Sequence, residues 1–159
     1  MKTIKQSIIV NIPVTQTYNQ WTQFEEFPHF MEGVKKVKQL DDKRLHWEAE
    51  IAGKSEMWDA EIIEQIPDQR IAWRSTNGAK NSGTIHFSAQ GVNQTEVTLE
   101  VNYEPEGMIE NLGDLLGLVS IRVSGDLARF KEFIETRHSA TGGWRGEIPA
   151  SGELFIGSI

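Results

Sequence analysis

At 159 residues, 38% hydrophobic and 25% charged, the chain has the size and balance of one globular domain with its own core. A net charge of −7 weighs against nucleic acid as a partner, because phosphate binding needs a concentrated basic surface. The lack of cysteine excludes disulfides, thiolate nucleophiles and cysteine-based metal sites.

No apolar run approaches the roughly 18 residues of a membrane span, so no integral membrane association is expected. The start, Met1-Lys2-Thr3-Ile4-Lys5, has no secretory apolar region, which makes a cytoplasmic protein the expectation.

Residues 3–12 alternate, with Ile4, Gln6, Ile8, Val10 and Ile12 on one face, and predict a half-buried strand ended by Pro13. From Val14 to Met31 the pattern turns helical, with Tyr18, Trp21, Phe24, Phe27 and Phe30 spaced by threes. Pro28 and Glu25-Glu26 favour two short helices over one.

Val34 to Tyr103 reads as a β-meander. Val34–Leu40 is followed by a strand with Leu45, Trp47, Ala49 and Ile51 on one face. In the next, Trp58, Ala60 and Ile62 oppose Met57, Asp59 and Glu61. After the Pro67-Asp68 turn, Ile71 and Trp73 share a face; then come Ile85 with Phe87, and Val97, Leu99, Val101 with Tyr103. Lys35, Lys36 and Lys38 read as a solvated strand edge.

Asp114 to His138 predicts one long amphipathic helix, with Leu116, Val119, Val123, Leu127, Phe130 and Ile134 at spacings of three or four. Leu115, Leu118 and Ile121 widen its apolar face, while Arg129 and Glu135 lie away from it. Gly113-Asp114 suits an N-cap, and Arg137-His138 complement the dipole at the other end. Gly125 inside the helix implies either a bend or the close approach of a bulky sheet residue. Residues 1–139 are expected to form the domain, and 140–159 a glycine-rich extended or mobile tail. Trp144-Arg145, with Leu154, Phe155 and Ile156, suggest docking of that tail on the domain or on a second copy in a homodimer.

The order is that of an α+β helix-grip fold: a curved seven-stranded antiparallel sheet wrapped around a long C-terminal helix, with two short helices between strands 1 and 2. With it, the sequence resembles the polyketide cyclase/dehydrase group of the START-like (SRPBCC, Bet v 1-like) superfamily. The resemblance is carried by Trp21 with Phe24–Met31, Trp58-Asp59-Ala60-Glu61-Ile62, Pro67–Trp73, Gly83–Phe87, Tyr103–Gly107, Gly113-Asp114 and Arg129–Glu135. It implies an apolar cavity between sheet and long helix. The expected lining is Trp47, Trp58, Trp73, Phe87, Leu99, Val101 and Tyr103 from the sheet, with Met31, Met108, Leu115, Leu118, Val119 and Arg122 from the helical side. The implied occupant is a small hydrophobic molecule such as a lipid, isoprenoid quinone or polyketide, with an aromatase/cyclase and a protein-interaction module as the other readings.

Catalytic signals are sparse. His29, His46, His86 and His138 lie in separate elements without metal-ligand spacing, so no metal or cofactor is expected. His46 and His86 fall on polar strand faces, and His29 near the cavity mouth. Asp59, Glu61, Arg74, Tyr103 and Arg122 are the candidates for acid–base or oxyanion work. The outward register of Asp59 and Glu61 argues against a two-carboxylate mechanism. Arg122 is either a snorkelling edge residue or a ligand-orienting cation.

Overall fold

The computed structural model describes residues 2–51, 53–104 and 112–150. Strand β1 (Lys2–Val10) leads into helix α1 (Val14–Trp21) and a 3-10 turn (Phe24–His29). Strands β2 (Val34–Gln39), β3 (Arg44–Ile51), β4 (Lys54–Ile66), β5 (Arg70–Gly78), β6 (Lys80–Gly91) and β7 (Gln94–Glu104) follow, then the long helix α2 (Leu112–Arg137). The seven strands form one antiparallel sheet in the order β1-β7-β6-β5-β4-β3-β2. The alternation in the sequence sets its faces: Ile4, Val10, Leu45, Ala60, Ile62, Ile85, Val97 and Leu99 are buried on the concave side.

A bulge in β4 between Ile62 and Glu64 shifts the inward register by one residue. Gln65 thereby becomes buried, and its Nε2 donates to the Tyr18 hydroxyl at 3.1 Å. Burial pushes the Tyr18 phenol up to about 12.

The second half of α2 closes the core. Val123, Leu127, Phe130 and Ile134 are buried, and the Phe130 ring meets Trp21 edge-on at 5.0 Å and Phe30 at 5.2 Å. Each such side chain contributes about 1.5–3 kcal/mol by burial. Polar ties fix the helix to the β1 edge: Lys131 Nζ donates to the Ile9 carbonyl (2.8 Å), and the Asn11 N–H to Glu135 Oε2 (2.8 Å).

Three sequence expectations change. The helix begins at Leu112, so Asp114 lies in its first turn rather than before it. At its far end His138 takes a left-handed φ of 64°, and its N–H bonds the Ile134 carbonyl at 2.8 Å. Gly125 is not a seat for a sheet residue: a Cβ there would lie 3.0 Å from Arg129 Nη1, on the same helix.

The segment after the helix is extended and, through Ile148, hydrogen-bonded to the domain. The N–H groups of Ala140 and Thr141 donate to Gln16 and Gln20, and that of Trp144 donates to Thr22. Arg145 reaches Asn19 (2.7 Å) and Asp68 (2.9 Å) and lies over the Tyr18 ring. Ile148 is fully buried and exchanges two backbone hydrogen bonds with Gln65. Leu154, Phe155 and Ile156 lie outside the described residues.

Candidate functional site

A cavity of about 490 Å³ separates the sheet from the middle of α2, Leu118 to Arg129. Its walls are overwhelmingly apolar. Trp47 and Trp58 sit directly opposite each other on β3 and β4, and their rings stack at 5.5 Å with 11° between planes. Phe27 packs against Trp47 at 5.5 Å, joining this wall to the Trp21–Phe30–Phe130 aromatic cluster. The Trp73 indole lies over Gly83, and its Nε1 donates to Asn81 Oδ1 at 3.0 Å. The indole N–H groups of Trp47 and Trp58 are buried with no hydrogen-bond partner among the described residues. Such groups each cost about 1–3 kcal/mol.

The mouth is marked by lining residues that are also exposed: Leu118 (56%), Ile121 (71%) and Glu32. Here the helix presents a charged line, Arg122, Asp126 and Arg129, spaced by four and three. Arg129 donates to the Phe30 carbonyl (2.9 Å) and to Asp126 (2.5 Å), and its Nη1 lies 3.6 Å from the Glu32 carboxylate. The Glu32 N–H also donates to Asp126 at 3.0 Å. Burial pushes the Asp126 carboxyl above its ordinary range, outweighing the opposing pull of Arg129, of the Glu32 N–H and of the charge on Arg122.

Ten of the thirteen residues expected at the cavity line it: Met31, Trp47, Trp58, Trp73, Leu99, Val101, Tyr103, Leu118, Val119 and Arg122. Phe87 does not; it is buried under α1, edge-on to Tyr18 at 5.4 Å, because that end of the sheet is closed by the short helix. Leu115 shares a helical line with Arg122 but stands about 10 Å nearer the helix start, beyond the lining. Met108 lies outside the described residues.

Of the polar candidates, Arg74 is exposed and away from the cavity. Asp59 turns outward to His46 (2.7 Å) and Asn77 (2.8 Å). His46 also meets Glu48 at 3.3 Å, so it is half-buried between two carboxylates rather than simply solvated. His29 is exposed, pairs with Glu26 at 3.0 Å and stacks on Phe133. No cluster of histidine and acidic residues suits a metal ion among the described residues.

Asp126 and Arg129 belong to the lining but were not among the expected site residues. Their signal was present as the charged line they form with Arg122. Spacing alone puts Arg129 away from the centre of the apolar face and does not say where its long side chain leans.

Sheet, helix and cavity together define a helix-grip protein. Residues 10–132 match the model of the family described as polyketide cyclase/dehydrase and lipid transport, and the chain belongs to that family. It is 45% identical over 149 residues to an uncharacterised 17.2 kDa protein of Streptomyces lincolnensis, covering 93% of this chain and 99% of the relative. A Deinococcus radiodurans crystal structure is similar at 30% identity and a TM-score of 0.67, over 86% of this chain and 99% of that one. The ZhuI aromatase/cyclase of a Streptomyces species shares the fold at 16% identity and a TM-score of 0.74, over 90% and 99% of the two chains. No helix among the described residues is long and apolar enough to cross a membrane.

Proposed function

We propose that this protein binds a small hydrophobic molecule, of lipid, isoprenoid-quinone or polyketide-like character, in the cavity between sheet and α2. The observation that carries this reading is a space of about 490 Å³ walled by four tryptophans, two phenylalanines and aliphatic side chains and left unfilled by the described residues. Affinity comes from removing apolar ligand surface from water, at about 25 cal/mol per Å² before the entropic cost of association. Native mass spectrometry of protein purified from its own source, followed by solvent extraction, tests it. A released hydrophobic compound is the expected result. Protein that carries none and also fails to bind the neutral apolar fluorophore N-phenyl-1-naphthylamine would overturn the reading.

A cyclase reading has one observation in its favour: in the half-buried Asp126–Arg129 pair the mainly apolar lining holds an ionisable group, Asp126, whose proton is held more tightly than usual. A proton donor beside a folded polyketide-like chain is what such chemistry requires. Its test is cyclisation of a synthetic poly-β-carbonyl substrate, with Asp126→Asn expected to abolish turnover. No cyclised product from the wild type would sink it.

A further inference from the structure

Two cations line the cavity, and they are held in different ways. Arg129 is neutralised by Asp126 and Glu32. Arg122 forms no ion pair among the described residues. Its Nη1 instead donates to two main-chain carbonyls, those of Glu32 (2.8 Å) and Glu50 (3.1 Å), which uses both hydrogens of that nitrogen. Nη2 and Nε have no hydrogen-bond partner among the described residues.

The seat for this guanidinium is built into the backbone. Gly33 lies beneath it with φ of 84°, and a Cβ there would fall 2.1 Å from Nη1. Carbonyls orient a cation without cancelling its charge, whereas a carboxylate would do both. Asp126 is near enough to feel Arg122, but its hydrogen bonds go to Arg129 and to the Glu32 N–H. The result is a positioned, unneutralised guanidinium at the rim of an apolar cavity. Its open donors match the two oxygens of a carboxylate.

We propose that the cavity's ligand is an amphipathic carboxylic acid, with its carboxylate on Arg122 and its apolar body against Trp47, Trp58 and Trp73. This rests on the hydrophobic-ligand reading and adds the chemistry of the head group.

Displacement of bound N-phenyl-1-naphthylamine by dodecanoate and by 1-dodecanol, two probes alike but for the head group, tests it. Wild type is expected to favour the acid by about tenfold or more, the worth of a charge-assisted hydrogen bond. Arg122→Gln should erase that preference while leaving the alcohol within about twofold, and Arg122→Lys should keep part of it. Equal binding of acid and alcohol by the wild type overturns the head-group proposal and leaves the cavity reading standing. A preference that survives in Arg122→Gln overturns it as well. Equal weakening of both probes in Arg122→Gln assigns Arg122 to tethering Glu32 and Glu50 and also overturns it. Failure of the fluorophore and both probes to bind defeats the cavity reading itself.

Discussion

The guanidinium of Arg129 fills the space that a side chain at Gly125 would need, with Nη1 and Nη2 at 3.0 and 3.1 Å from a Cβ built there. Two effects of Gly125→Ala therefore oppose each other. Alanine gains about 1 kcal/mol of helix propensity. Displacing Arg129 loosens its bonds to Phe30 and to the half-buried Asp126, at about 1.5–3 kcal/mol. The expected net is a loss of about 1 kcal/mol in the wild type and a gain of similar size in an Arg129→Ala background. Urea unfolding of the four proteins measures this sign reversal as a double-mutant cycle.

Trp73 depends on Gly83 in a comparable way. A Cβ at Gly83 would lie 2.4 Å from the indole Cη2 and 2.5 Å from the Glu100 carbonyl oxygen. Gly83→Ala should drive the indole off the sheet into the cavity and break its bond to Asn81. A stability loss of about 2–3 kcal/mol is expected from overpacking. Binding of N-phenyl-1-naphthylamine should weaken several-fold in the same variant, and unchanged binding would show that Trp73 does not bound the occupied space.

Alkaline stability reports on Tyr18. Its phenol is raised in the folded state from 10.0 to about 12, so the folded chain holds the proton more tightly than the unfolded one. The stability contributed is fully present below pH 10 and is lost as pH rises through about 12. At about 1.4 kcal/mol per pKa unit, roughly 3 kcal/mol goes over that window. Tyr18→Phe should flatten the dependence of the urea midpoint between those limits, although it starts from a lower value because Gln65 Nε2 loses its acceptor.

Anchoring of the C-terminal strap rests on Ile148 and Arg145. Ile148→Ala should destabilise by about 2–4 kcal/mol, as for other fully buried large-to-small changes. Arg145→Ala, which loses an ion pair of two partly exposed groups at 2.9 Å, should cost about 1 kcal/mol or less. Limited proteolysis should then release the segment after Arg137 from the Ile148 variant at a protease level the wild type withstands.

Strand identity and facing were legible because period-2 alternation survives almost everywhere: the buried partners of Trp58 along β4 are Ala60 and Ile62, as the pattern requires. The pattern fails where the backbone departs from it. The β4 bulge turns Gln65 inward, and no periodicity marks a bulge. Most of the cavity wall was likewise legible, since large side chains on one face of a curved sheet converge. Phe87 lies outside the lining because alternation gives the face of the sheet but not the position along it, and α1 closes that end. Arg129 is hard to place for a related reason. Spacing puts it on one line with Arg122 and Asp126 at the edge of the apolar face, but does not show that its long side chain folds back over Gly125 toward the cavity mouth.

Helix α2 is fastened along half its length. From Val123 to Ile134 it contributes four fully or nearly buried side chains, whereas Leu118 and Ile121 are exposed. The earlier turns are held by the half-buried Leu116 and Val119 and, among the described residues, by two side-chain hydrogen-bonding ties, Gln6 to Ser120 and Arg122 to the carbonyls of Glu32 and Glu50. Opening free energies should therefore fall into two classes along one helix. Amide protons of residues 115–121 should exchange through small local openings, and those of residues 127–134 only when the whole domain unfolds. On the proposed hydrophobic-ligand reading, the expected entry is by lifting these turns while the aromatic core stays packed, and hydrogen exchange in that half alone should slow once the cavity is filled.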